Sequence, residues 1–185
     1  MPNRGKTLGN YIPTGDPDTM NESSLYAPGE LGQTFDYNDR TYQIVKLDSG
    51  AITNADTTGT APAANDVLFW KNKSNYLVTN DYRQSFTTGG GGTSPEANAV
   101  AGILRIAATR GNYIAMLVRG RNIAVADQGG SCGKGEIACA DIQSNRASVL
   151  GVAAGTAATH KPVGIVRTAT AASVAYVDVD IPEIP

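Results

Sequence analysis

Val100-Ala-Gly-Ile-Leu-Arg-Ile-Ala-Ala-Thr-Arg-Gly-Asn-Tyr-Ile-Ala-Met-Leu-Val-Arg119 reads as two β-strands around the turn Thr109-Arg110-Gly111-Asn112. The chain returns to nearly the same phrase at 162–180. Gly102-Ile103-Leu104-Arg105, then Ala107, matches Gly164-Ile165-Val166-Arg167, then Ala169. Tyr113 answers Tyr176 with one residue of slippage, and each copy ends in an apolar-rich strand, Ile114–Val118 and Val177–Ile181. A repeat of this kind is architectural information. Upstream of each copy lies a second match, Val67-Leu68 with Ser74-Asn75 against Ile137-Ala138 with Ser144-Asn145. The reading is an all-β body, a small barrel or sandwich, made of two related β-units at about 66–119 and 135–181. Gly102 and Gly164 sit inside strand patterns, where glycine implies a bulge or a close backbone approach.

Composition agrees with that class. The chain has 185 residues, of which 21 are glycine, with 6% aromatic and 17% charged residues. Small residues between many turns favour strands over a helical bundle. A formal net charge of −2 gives no electrostatic footprint for nucleic acid. No run of apolar residues is long enough for a membrane-spanning helix. Met1-Pro-Asn-Arg-Gly-Lys-Thr7 lacks the apolar stretch of a secretory signal. The sequons at Asn21 and Asn72 therefore gain no meaning as glycosylation sites.

Residues 1–30 hold Pro2, Pro13, Pro17 and Pro28 with isolated apolar side chains, so neither helix nor strand periodicity survives there. One reading is a disordered tail. The other is an extended arm that orders on a neighbour, favoured by the paired anchors Tyr11-Ile12 and Leu25-Tyr26. Fully extended, such an arm reaches on the order of 100 Å. The body, 31–185, opens with a hairpin, Gln33–Tyr37 and Thr41–Leu47, with Tyr42 and Ile44 on one face. A loop over 53–65 leads to a second hairpin, from Asp66-Val-Leu-Phe-Trp70 through 71–75 to Tyr76-Leu-Val78. Trp70, the single tryptophan, reads as a core anchor. Gly89–Gly92 reads as a tether inserted into the first unit, and Ser94-Pro95 as the start of a helical turn.

No constellation for chemistry emerges. Gly129-Gly-Ser-Cys-Gly-Lys-Gly135 departs from a phosphate loop, because Gly135 stands where Ser or Thr would bind magnesium. Cys132, Cys139 and the single histidine, His160, do not make a zinc site. The two cysteines read as inert small residues. His160 has no nucleophile or orienting carboxylate in its context. Asp178 and Asp180 alternate and share one strand face. The expectation is a protein that is not an enzyme, with no catalytic residues, no cofactor and no metal. Arg105 and Arg167, at matching places in the repeat, are either solvated or interface residues.

Three stretches carry a resemblance: Asp66–Trp70; Val100–Ile103 with Gly111-Asn112-Tyr113; and Pro162–Ala169 running to Val177–Ile181. Together they resemble the small β-rich capsid-stabilising, or decoration, proteins of tailed bacteriophages. The resemblance covers about two-thirds of the chain and consists of β phrases rather than a rigid motif. It implies a non-enzymatic virion protein, made in the host cytoplasm, on the outer capsid surface. There it would clamp neighbouring major capsid subunits after the shell expands, often as a homotrimer, with no nucleic acid or membrane partner. The arm and the glycine insertion are longer than the smallest such proteins carry. The competing class is a fibre or carbohydrate-binding β-module with Trp70 and the tyrosines as its platform.

Overall fold

A computed structural model describes residues 16–18, 30–49, 62–80, 100–127, 132–143, 146–152 and 162–181. These form ten strands and no α-helix: β1 (Thr34–Tyr37), β2 (Arg40–Leu47), β3 (Val67–Asn72), β4 (Leu77–Thr79), β5 (Val100–Leu104), β6 (Tyr113–Ala126), β7 (Ile137–Gln143), β8 (Arg146–Val152), β9 (Pro162–Ala171) and β10 (Val174–Asp180). The expected all-β class is observed. The anticipated tether at 89–92, the helical turn at 94, the larger part of the 53–65 loop and His160 lie outside the described residues.

The strands run in the order β1-β2-β4-β3-β5-β6-β10-β9-β7-β8, and β2 also pairs with β6. That extra pairing closes β2, β4, β3, β5 and β6 into a five-stranded barrel. β1 flanks the ring on β2, joined to it by Asn38-Asp39 with φ of 50° and 58°. Positive φ at both central residues is the tight-hairpin geometry that asparagine and aspartate tolerate. β10, β9, β7 and β8 extend from β6 and curl back, bringing β8 to β3 and β6, and β9 to β5.

Strand alternation divides the core in two. Val45, Leu47, Leu68, Trp70, Val78, Leu104, Ile114, Met116 and Val118 come from all five ring strands and fill the barrel. Their neighbours Ile44, Val67, Phe69, Ile103, Ala115 and Leu117 point outward and pack with Ala138, Val149, Val163, Val166, Ala175 and Val177 of the second layer. Thus Val67-Leu-Phe-Trp70 is a continuous apolar run because both faces of β3 are buried, each side chain at most 1% exposed. Each contributes roughly 1.5–3 kcal/mol of burial. Trp70 is the anchor its sequence context implies, although its indole Nε1 is buried without a hydrogen-bond partner.

The stretches β3–β6 and β7–β10 share one strand arrangement. The first has strand order β4-β3-β5-β6 and the second β8-β7-β9-β10, antiparallel at every step. Val67 faces Ile103 and Leu68 faces Gly102, as Ile137 faces Ile165 and Ala138 faces Gly164. One step on, Phe69 faces Val100 and Cys139 faces Pro162, so Ala101 and Val163 are equivalent bulged residues. Each glycine admits a carbonyl of the next strand. A Cβ on Gly102 would stand 2.6 Å from the Leu117 oxygen, and one on Gly164 would overlap the Asp178 oxygen.

Three sequence expectations need correction. Ile103 faces Leu117 and Ile165 faces Asp178, so Tyr113 lies four residues before its reference point and Tyr176 only two. The tyrosines are therefore not equivalent positions. The strand expected at Ile114–Val118 spans 14 residues, because its second half finds a partner in β10. β5 ends at Leu104, leaving Arg105 outside any strand.

Gly102→Ala and Gly164→Ala should each lower unfolding free energy by about 1–3 kcal/mol, the range for forcing extra atoms into a packed site. Urea denaturation with an unchanged slope measures this. Parent-like midpoints for both variants would contradict the shared close approach.

Candidate functional site

The described part of the N-terminal segment, Asp16-Pro17-Asp18, is seated on the chain's own body. Pro17 is buried. The Asp18 amide donates to Asp16 Oδ1 at 2.9 Å, a local turn that aspartate makes readily. The Asp18 carboxylate then takes donors from three places. Tyr42 Oη, on β2, donates to Oδ1 at 2.9 Å, and Arg105 Nε donates to the same oxygen at 3.0 Å. Arg40, at the start of β2, pairs with Oδ2.

Arg105 is built into this position. Its Nη1 donates to Asn65 Oδ1 at 2.9 Å and to the Ala124 carbonyl at 3.0 Å. Asn65 is fixed in turn: its amide donates to the Leu104 carbonyl and its carbonyl accepts from the Ala126 amide. The Arg105 side chain is only 13% exposed. Burial draws its pKa below the ordinary arginine value, while charge on Tyr42 and Asp16 opposes that shift. A guanidinium remains charged under such conditions, so the site is a fixed, half-buried cation that needs an anion. Asp18 supplies it. The guanidinium thus ties the N-terminal segment to the loop before β3 and to β6.

Of the residues expected at an interface, Arg105 is taken up within the chain, whereas Arg167 is exposed and pairs with Asp178 at 2.7 Å. The two are brought to unlike environments, one behind β5 and one within β9. Tyr11, Ile12, Leu25 and Tyr26 lie outside the described residues. The role of Asp18 was not legible in the sequence, because Asp-Pro-Asp reads as an ordinary turn until Arg105, 87 residues away, is placed beside it.

A second polar cluster is enclosed. Asp127 is fully buried, and its Oδ2 accepts from the Cys132 amide and from Thr170 Oγ1. Burial and the neighbouring Asp127 carboxylate push the Cys132 thiol up to about 12. At neutral pH it is a protonated thiol, which is a poor nucleophile. Cys139 is buried in the core, and burial raises its pKa too. Both cysteines are free. Cys132 is therefore a packed residue, with its amide held by Asp127 and Thr170. An open polar cleft lies between the β1–β2 turn and Arg121. Among the described residues no group of three His, Cys, Asp or Glu side chains is placed to hold a metal ion. No helix among them is long and apolar enough to cross a membrane.

No protein-family model matches this chain, and no curated protein matches it in sequence.

Asp18→Ala should destabilise the full chain by about 1–3 kcal/mol, the scale for a lost hydrogen bond to a charged group with its partner left half-buried. In a two-dimensional NMR spectrum the Arg105 Nε–H signal should move and broaden. An unmoved Arg105 signal with unchanged stability would show that Asp18 does not hold the segment.

Proposed function

We propose that this protein is a non-enzymatic virion structural protein, a decoration protein that binds the outer surface of a phage capsid and stabilises it. On this reading it bridges neighbouring major capsid subunits and self-associates, as a homotrimer by resemblance to the family. The observation that supports it best is the seating of Asp18. A two-layer β-body holds Asp16-Pro17-Asp18, in the N-terminal segment, at a fixed point. That is the mechanical requirement of a clamp: a stiff module, and an anchored strap with apolar side chains at Tyr11 and Ile12. Backbone pairing of an extended strap with a sheet edge supplies affinity without a pocket. A ligand that binds only the assembled shell stabilises it by mass action, and many weak contacts sum over the shell.

The reading as a carbohydrate-binding module loses Trp70 and Tyr42 from its platform, since both are at most 1% exposed.

Cosedimentation with expanded and unexpanded capsids tests the proposal. Binding to expanded shells alone is expected. Tyr11→Ala with Ile12→Ala removes anchors worth roughly 1.5–3 kcal/mol each when buried, so affinity should fall at least about tenfold. Equal binding to both shell forms would sink the reading, and so would glycan binding without capsid binding.

A further inference from the structure

Among the described residues two large apolar side chains are exposed: Ile165 at 51% and Tyr176 at 40%. They are not scattered. Ile165 on β9 faces Asp178 on β10, and Tyr176 is the next β10 residue on that same side. They are diagonal cross-strand neighbours, within reach of each other for side chains of this length. On β10 the residues alternate, with Ala175, Val177 and Val179 buried and Tyr176 and Asp180 exposed, so this is the outer face of the second layer.

Charges of both signs surround the pair. Arg167 contacts Asp178 at 2.7 Å on one side, and Arg119 contacts Asp180 at 3.1 Å on the other. Arg167 occupies a bulge: β9 advances from Thr168 to Val166 while β10 advances only from Tyr176 to Val177. A bulge of this kind re-aims a side chain, and here it brings Arg167 to the rim of the apolar pair. Both arginines are about 60% exposed. The Asp178 side chain is 22% exposed and its Oδ1 accepts from the Asn122 amide at 2.9 Å, which leaves Oδ2 and the exposed Arg167 to change partners; an exposed guanidinium adds little to folding. An apolar centre with a charged rim is the anatomy of a protein interface. The rim carries both signs, Arg119, Arg121 and Arg167 with Asp178 and Asp180, and two ion pairs are already formed across strands, so it complements itself better than a surface of one sign.

We propose that the Ile165–Tyr176 face binds a second copy of this chain, with Arg167 of one copy pairing with Asp178 of the other. This rests on the self-association in the function proposed above, and it makes the contact two-fold rather than the three-fold one that the family resemblance implies.

Sedimentation velocity on the full chain over a concentration series tests it. The parent should self-associate, and Ile165→Ser with Tyr176→Ser should weaken association at least tenfold. Trp70 fluorescence should stay parent-like, showing an intact barrel. Arg167→Asp and Asp178→Arg should each weaken association alone, and an equimolar mixture should restore it, because opposite charges then meet in both directions. If the parent associates and the serine variant associates equally well, the surface is wrong while self-association stands. A mixture of the two charge variants that stays dissociated overturns the pairing. A monomeric parent overturns the proposal but not capsid binding. A monomeric parent whose serine variant loses capsid binding assigns the face to the capsid protein and also overturns it.

Discussion

β6 is the constraint on which the structure depends. Its first half pairs with β2 and β5 and its second half with β10. Ile114, Met116 and Val118 enter the barrel, and Ala115 and Leu117 enter the layer between barrel and outer sheet. The first half of β6 is buried on both faces with both edges bonded, so it cannot shift register without moving two apolar sets from one core to the other. Closure of the ring by β2 and docking of the second unit by β10 are therefore coupled through one segment.

The second unit repeats the first, but the context of each differs. In the first, β2 closes the ring by pairing in parallel with β4 and antiparallel with β6. In the second, the later half of β6 takes the place next to β10, and β8 comes close to β6 without entering the ladder. The first copy thus becomes a barrel and the second a curled sheet over its wall. Glycine stands at this place in both because the fourth strand of each unit presses a carbonyl onto it. The matched arginines diverge for the same reason. Arg105 is covered by the N-terminal segment and β6, whereas Arg167 stands on the outer face.

The fold class, the two hairpins of the first half and the duplication were legible because they are written in local patterns: alternation, turn residues and a repeated Gly-Ile phrase. Tyr42 and Ile44 share a buried face as their alternation implies. The length of β6 was not legible, since Arg119, Gly120, Arg121 and Asn122 look like a turn, and from Gly120 onward the strand's ladder partner is β10 alone. The turn at Ala172-Ser173, with φ of 51° and 63°, lacks the usual glycine or asparagine, so no turn signal marks it. β8 was missed because Arg146–Val152 is a strand only beside β7. The Asp18 site depends on a contact across 87 residues, for which no local pattern exists.

The central claim is that β6 welds both units into one cooperative body, a rigid platform for an anchored N-terminal segment. Native-state hydrogen exchange tests this most directly, because it resolves which segments open together. Amides of β6 should exchange only by global unfolding, and those of β9 and β10 should share its free energy and its denaturant dependence with β3 and β5. An opening that releases β7 to β10 while β2 to β6 stay protected would contradict the account.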